Sequence, residues 1–227
     1  MWFFPLVATV VSGLFAGVLV RRSLSRLRPH EVAWAIALAM YAGGSFALFL
    51  GAVDGWSAGE YRWYWLLGAV LNVPYLAHGE LLLLVKDARV RAASLLLLLF
   101  ATAYAANRVR TAGLDPAGLG EDLPLGREVW APDDGARQLA QIFAYPTYTL
   151  LVLGAIWSAW RMRRSPEARD RFRGTLLVAV GATVVAAGSA FAAEGLLPGF
   201  SISLTAGIAL MFWGFLLASR SRPAGSA

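Results

Sequence analysis

Few side chains in this sequence could do chemistry, and they concentrate in two otherwise apolar segments. One segment holds Asn72, Tyr75, His78 and Glu80, and the other runs from Gln138 to Thr149. If these segments cross a membrane as helices, their polar groups are costly there and are therefore the first candidates for function. Each segment also has a central proline, Pro74 or Pro146, which frees a backbone carbonyl four residues earlier. The freed carbonyl either lines a cavity or is satisfied by a neighbouring helix at a kink.

The second segment carries a polar stripe. Gln138, Gln141, Tyr145 and Tyr148 follow the spacing i, i+3, i+7 and i+10, which places them on one helix face. At 1.5 Å per residue, Tyr148 lies about 15 Å below Gln138, at the depth of Asn72 in the other segment. Tyr41 reaches the same level from a third helix. We therefore expect one cavity, open on the outer side and blind at its inner end, lined by the following residues: Asn72, Tyr75, Gln141, Tyr145, Tyr148 and Tyr41.

The alternative is a dry helix interface in which these polar groups bind one another. Each such hydrogen bond contributes only about 0.6 kcal/mol in a membrane. No ligand would then fit between the helices. If Tyr145 and Tyr148 face lipid, or if the two helices are not neighbours, the cavity hypothesis is lost and a scaffold takes first place.

His78 and Glu80 are candidates for a proton relay, because both titrate and both lie near one end of their segment. Two residues apart on a regular helix, they point about 160° away from each other. A metal site needs three or four converging ligands, so none is predicted. The alternative is that each group is satisfied by a neighbouring arginine or backbone group.

Several classes of function are excluded by composition. The chain has no cysteine, which excludes thiolate nucleophiles, disulfides and iron–sulfur clusters. Its one lysine, Lys86, lies in a predicted loop, so a retinal Schiff base within a helix cannot form. No phosphate-binding loop or nucleophile elbow is present. The cofactor is unknown, and an enzyme is the least favoured interpretation.

The elements that must position these residues are membrane helices. Of 227 residues, 58% are hydrophobic and 15% are charged, and apolar segments near the ~20 residues needed to cross a bilayer recur along the chain. We predict an all-α polytopic bundle of seven transmembrane helices in one domain, residues 1–219, followed by a short tail, 220–227. The count could fall to six at the short fourth segment or at the tight turn near Pro198. The predicted spans are 2–20, 32–53, 63–85, 92–107, 138–160, 174–195 and 201–219.

The basic residues predict orientation. Fifteen of the 20 lie in alternate loops and the tail, and five lie on the opposite side. Since Lys and Arg concentrate in cytoplasmic loops, the N-terminus is outside and the C-terminus cytoplasmic. The expected location is the bacterial cytoplasmic (inner) membrane, and the lipid bilayer is the first partner. The net charge of +6 does not indicate nucleic acid, because the basic residues flank apolar segments.

Other features concern the surface of the bundle. The external loop 108–137 is rich in Gly, Pro and acidic residues and is predicted to be irregular, with a length that suits a lid or partner site. Tryptophans at the predicted span ends are typical of interfacial anchors; those expected at the outer boundary are Trp2, Trp56, Trp63, Trp65 and Trp130. Gly13 and Gly17 have the GxxxG spacing, which leaves a homodimer open beside simple internal packing.

Three stretches carry a family resemblance: RPHEVAWAIALAMYAGGSFALF, WYWLLGAVLNVPYLAHGELLLL and IALMFWGFLLAS. Together they resemble a group of small, uncharacterised seven-helix membrane proteins of high-GC bacteria. More distantly, the chain is similar to the seven-helix membrane input regions of bacterial sensor kinases. It departs from that pattern because no kinase or other output domain follows Ser219. The resemblance supplies no residue motif.

The leading hypothesis is a receptor-like or sensor module that binds a small, mostly apolar ligand within the bundle and acts through a separate partner protein. A small-molecule transporter or facilitator is the second, although few intramembrane charges argue against ion coupling. A non-catalytic scaffold for a membrane complex is the third. These hypotheses differ in whether the bundle holds a pocket, a path or a solid core.

Overall fold

The computed structural model describes residues 2–25, 28–120, 123–131, 135–162 and 169–220. Within these ranges it has seven helices long and apolar enough to cross a membrane, as predicted. We number them α1 to α7. Their bounds are α1 Phe3–Ser25, α2 Pro29–Asp54, α3 Ala58–Leu84, α4 Ala88–Thr111, α5 Ala136–Met162, α6 Arg169–Ala193 and α7 Leu197–Arg220.

Local capping explains why two helices begin earlier than their apolar segments. Asp87 precedes α4, and its Oδ1 accepts hydrogen bonds from the backbone N–H groups of Arg89 at 2.7 Å and Val90 at 3.2 Å. Ser57 and Glu60 form a reciprocal capping box at the start of α3. These caps satisfy N–H groups that a helix start leaves without partners. With 24 residues, the fourth helix is therefore long enough to cross a membrane.

We call the end of the bundle where α1 begins the N face, and the opposite end the C face. Residues of α3, α4 and α5 meet at the N face: Arg62 donates to the carbonyl of Ala112 at 2.9 Å, and Trp65 Nε1 donates to that of Ala136 at 3.0 Å. At the C face, Arg22 of α1 lies 4.8 Å from the ring centroid of Phe215 in α7. The candidate site described below lies at the C face.

Glycines set the closest helix contacts. A Cβ atom on Gly44 of α2 would lie 2.9 Å from Cα of Gly68 in α3. Between α6 and α7, a Cβ on Gly181 would lie 2.6 Å from the carbonyl oxygen of Gly207. Small residues allow backbones to approach in membranes, where packing drives helix association. By contrast, Gly13 and Gly17 have no such neighbour among the described residues and face outward, so a homodimer through them stays a prediction.

The third helix is not regular. Residues Tyr64–Leu71 form a π-helical segment just before Pro74. The wider turn changes the register of α3 at the point where the proline removes a backbone donor. The predicted disturbance at Pro74 therefore takes the form of a π-helical segment.

The described part of the loop between α4 and α5 has only short helical turns, at Pro116–Gly120 and Gly126–Val129, and it is packed. The backbone N–H of Asp115 donates to the carbonyl of Val129 at 2.8 Å, and Leu114 pairs with Trp130 in an isolated antiparallel bridge. Trp130 is 2% exposed and lies under the guanidinium of Arg62. Trp56 is also buried, so Trp56 and Trp130 belong to a core at the N face and are not lipid-facing anchors.

Candidate ligand-binding site

A cavity of about 450 Å³ lies between α2, α3 and α4. This volume falls within the ~300–1,000 Å³ typical of small-molecule sites. Most of its lining is apolar, with four polar or basic side chains. The lining residues are Arg28, Pro29, Val32, Ala33, Ile36, Tyr75, His78, Leu82, Arg91, Ala92, Leu95 and Leu98. We call this cavity the C-face pocket.

The inner end of the C-face pocket is closed by a small apolar cluster. Ala37 of α2, Tyr75 of α3 and Leu98 of α4 are buried against one another. Tyr75 and Leu98 also line the pocket. The pocket is therefore closed toward the middle of the bundle, and its other end reaches the first residues of α2 and α4. Its wall residues Val32, Ile36 and Leu95 are exposed, so the pocket is also open along its side between α2 and α4.

Two hydrogen bonds join α3 to α4 behind the pocket. The hydroxyl of Tyr75 lies 3.2 Å from Thr102 Oγ1, and the hydroxyl of Ser94 lies 3.2 Å from His78 Nδ1. Each is a contact between polar groups within a membrane helix pair, where water does not compete strongly. They fix α4 on α3, although α4 is the least buried of the seven helices.

A tryptophan and a glycine hold α2 on α3. Trp34 Nε1 donates a hydrogen bond to the carbonyl of Leu76 at 3.1 Å. A Cβ on Gly79 would lie 2.3 Å from the Trp34 indole, so only glycine leaves room for this ring. The indole N–H of Trp34 is therefore used inside the helix pair. This contact sets the spacing of two pocket walls.

The mouth of the pocket carries two arginines. Arg28 precedes α2 and forms an ion pair with Glu31, with Nη1 and Oε1 3.3 Å apart. Arg91 lies in the first turn of α4, is half-buried, and forms no ion pair within the described ranges. The pocket therefore combines an apolar interior with a basic entrance. Neither arginine was singled out as a site residue in the sequence, because both were accounted for by the charge bias of the loops.

Glu80 faces the opposite side of α3 from the pocket. It is 8% exposed, and its carboxylate lies beside the side chain of Ser158 in α5. A Cβ on Gly154 would lie 2.8 Å from Glu80 Cγ, so glycine provides the space for this side chain. Glu80 is buried with a protein partner, as predicted. His78 contacts α4 instead, so the two residues do not meet, and a proton relay through either one stays a prediction.

The remaining interior residues of the predicted set lie apart from the C-face pocket. Tyr41 is buried and donates to the carbonyl of Leu204 in α7 at 2.9 Å. Asn72 is 4% exposed, and its Oδ1 has no hydrogen-bond partner among the described residues. Of the six predicted ligand-binding residues, only Tyr75 lines the pocket.

The polar stripe of α5 does not face the interior, which corrects the predicted cavity. Tyr145 is 67% exposed and Gln141 is also exposed. Tyr148 is half-buried and donates to Thr183 of α6 at 3.2 Å. The stripe fails to reach α3 because α5 packs there through a different face, on which Leu151 and Gly154 lie. The expected cavity, open on the side of the long loop, is replaced by a pocket that opens at the C face.

No convergent metal-ligand set is present in the described ranges: no group of three or more His, Asp or Glu side chains lies close enough together to hold an ion. His78 contacts Ser94, and Glu80 contacts Ser158 on another helix. The chemistry of the C-face pocket is therefore that of a binding site with apolar walls, a tyrosine, a histidine and two guanidinium groups.

Comparison with known proteins adds no further constraint. No family model matches the chain, and neither a curated protein nor a solved structure is significantly similar to it. The resemblance to small seven-helix proteins and to sensor input regions accordingly stays a prediction. Function must be argued from the pocket.

Proposed function

We propose that the chain is a receptor-like module of the bacterial cytoplasmic membrane that binds a small, mostly apolar ligand in the C-face pocket. One observation supports this: an apolar cavity of about 450 Å³ is closed at its inner end and carries a few polar groups at defined positions. Such a combination is typical of ligand sites. In this proposal Tyr75 and His78 form part of the α3 wall that contacts the ligand.

The proposal includes an orientation. The N-terminus is outside and the C-terminus cytoplasmic, because 15 of 20 basic residues lie at one side of the predicted spans. The C-face pocket then opens at the cytoplasmic surface of the membrane. A ligand would reach it from the cytoplasm or from the inner leaflet.

Binding can be tested with a photoactivatable probe. The probe is a long-chain alcohol with a diazirine in its chain, applied to the purified protein in lipid nanodiscs and mapped by mass spectrometry. We expect saturable labelling of Ile36 and Leu95, which line the pocket. Excess unlabelled alcohol should suppress it. Equal, non-saturable labelling of Leu95 and of Leu97, which is exposed but does not line the pocket, would contradict the proposal.

A matched pair of variants sharpens this test. Ala92 and its neighbour Ala93 are both exposed, but only Ala92 lines the pocket. Ala92→Trp fills the pocket and should abolish the saturable labelling, whereas Ala93→Trp adds the same side chain on the lipid-facing surface and should preserve it. Equal behaviour of the two variants would show that the labelled site is elsewhere.

Signalling through a partner requires that the ligand changes the bundle, and α4 is the element best suited to move. It packs mainly on α3 and is the least buried spanning helix. Because the chain has no cysteine, Ala39→Cys and Ala93→Cys allow selective spin labelling of α2 and α4. We expect the distance distribution between the labels to shift when the alcohol binds. An unchanged distribution at saturation would contradict the sensor mechanism.

A scaffold is the second candidate, and a different observation favours it. Gln141 and Tyr145 are exposed on α5, where polar side chains facing lipid are costly and a partner helix would satisfy them. The double variant Gln141→Leu, Tyr145→Leu should reduce the mass of the complex extracted from native membranes. Leu150→Ala, an exposed change on the same helix, is the control. An unchanged mass in the double variant would contradict a scaffold role for this face.

A further inference from the structure

We infer that the ligand of the C-face pocket is an anionic amphiphile with a single alkyl chain, whose headgroup is bound by Arg28 and Arg91. This inference rests on the proposed function, because it names the ligand class of the same pocket. The juxtaposition that carries it is a basic mouth on an otherwise apolar, blind cavity. Neither feature alone specifies an amphiphile.

The mouth is matched to an anion. Arg guanidinium groups bind carboxylates and phosphates through paired hydrogen bonds. Arg91 has no ion-pair partner in the part of the chain that the structure describes, and it is half-buried at the pocket entrance. Arg28 is partly neutralised by Glu31, at 3.3 Å. The entrance therefore keeps an excess of positive charge, most of it at Arg91.

The interior is matched to an alkyl chain. From the mouth inward, one wall presents Val32 and Ile36 of α2 and the other presents Leu95 and Leu98 of α4. Residues four and three apart lie on the same face of a helix, so these pairs form apolar rows that run from the C face toward the middle of the bundle.

The size and depth of the pocket favour one chain. The Ala37, Tyr75 and Leu98 cluster closes the inner end of the pocket, which limits the length of chain it can take. A volume of about 450 Å³ lies in the lower half of the range for ligand pockets and suits a single chain better than a two-chain phospholipid. Basic pockets between membrane helices at the cytoplasmic side are established binding sites for anionic headgroups.

The polar groups in the pocket lie between the headgroup and the closed end. His78 is engaged with Ser94, and Tyr75 is engaged with Thr102. Because the Tyr75 hydroxyl and His78 Nδ1 are already partnered, the deep part of the pocket offers few free hydrogen-bonding groups. A ligand with its polar atoms at one end only therefore fits this arrangement best.

The test compares two probes that differ only in charge. The first is palmitic acid with a diazirine in mid-chain, under conditions where the carboxylate is ionised, and the second is the alcohol of the same length. In nanodiscs of phosphatidylcholine, we expect the acid to label Ile36 and Leu95 at lower concentration than the alcohol. Arg91→Gln should weaken labelling by the acid about fivefold and leave labelling by the alcohol unchanged.

A matched control is present in the same helix turn. Arg89 is exposed and does not line the pocket, so Arg89→Gln removes the same charge from the same surface. If Arg89→Gln and Arg91→Gln weaken labelling by the acid equally, general attraction to a basic surface explains the effect and the inference is wrong. Arg28→Gln serves as a second variant and should weaken labelling by the acid less than Arg91→Gln, because Arg28 is paired with Glu31.

The outcomes separate this inference from the proposed function. Saturable labelling by both probes with no effect of Arg91→Gln would overturn the anionic headgroup while leaving a pocket that binds apolar ligands. Absence of saturable labelling by either probe would overturn the proposed function itself. Suppression of the acid's labelling by phosphatidylglycerol in the nanodisc would overturn the single-chain assignment in favour of a bilayer phospholipid.

Discussion

The hydroxyl of Ser94 lies 3.2 Å from Nδ1 of His78, which joins α4 to α3 beside the C-face pocket. This contact bears on function because α4 forms one wall of the pocket and has little other buried surface. A ligand that alters the position of α4 must act against this hydrogen bond and the one between Tyr75 and Thr102. Both contacts therefore set how firmly the pocket wall is held.

The strength of the Ser94–His78 contact can be measured by a double-mutant cycle with Ser94→Ala and His78→Gln. We expect a coupling free energy of about 0.6 kcal/mol, the average for such bonds in membranes. The measurement is the free energy of unfolding in mixed micelles titrated with denaturing detergent. Ser94→Ala combined with Gln141→Ala, a residue on the outer surface of α5, should be additive. Zero coupling between Ser94 and His78 would contradict the contact.

The approach of α6 and α7 predicts different effects for two glycines. Gly181→Ala places a Cβ 2.6 Å from the carbonyl oxygen of Gly207, so we expect destabilisation by about 1–3 kcal/mol. Gly17→Ala meets no atom within 4 Å and should be neutral or gain up to about 1 kcal/mol of helix propensity. Unfolding of both variants in dilute detergent gives the comparison. Equal destabilisation would contradict the packing of α6 on α7.

Glu80 provides a third prediction. Glu80→Leu removes the buried polar contact between Glu80 and Ser158 and should cost about 1–3 kcal/mol in the free energy of unfolding. Glu80→Gln keeps both the shape and an acceptor oxygen and should cost less. Glu128→Leu changes an exposed acid in the loop between α4 and α5 and is the control. If Glu80→Leu and Glu128→Leu have equally small effects, Glu80 does not contribute through its buried contact.

The proposed orientation makes a separate prediction. A reporter that is active only in the cytoplasm should be active when it is fused after Ala227. A tag inserted after Gly120, which is exposed, should be accessible without permeabilisation of the inner membrane. The charge bias of the loops is the physical reason. Accessibility of both positions from the same side would contradict the orientation and an odd number of spans.

The helices were predictable because length and hydropathy determine them, but their ends were not. Asp87 and the Ser57–Glu60 capping box extend α4 and α3 through local hydrogen bonds that hydropathy does not register. The π-helical segment Tyr64–Leu71 was missed because only the proline, and not the change in register before it, is visible in the sequence. The burial of Glu80 was predictable from the cost of a carboxylate in lipid.

The site was predicted only in part. The spacing of Gln141, Tyr145 and Tyr148 correctly defines one helix face, but it cannot tell which neighbour that face meets. The structure places Tyr145 outward, because α5 packs against α3 through the face that contains Gly154, which has no side chain. Arg91 was missed because the charge bias already explained its presence. The available signal was that Arg91 lies at the start of the helix that follows the one with His78, so the two residues could lie at the same end of the bundle.

The most direct test of the central claim is an experimental map of the protein in lipid nanodiscs by electron cryo-microscopy, prepared with the membrane lipids of its host. The account predicts elongated density in the C-face pocket, between Ile36 and Leu95, with its polar end at Arg28 and Arg91. A well-ordered map in which side chains from α2 and α4 fill this space, or in which the pocket holds no density, would contradict the account.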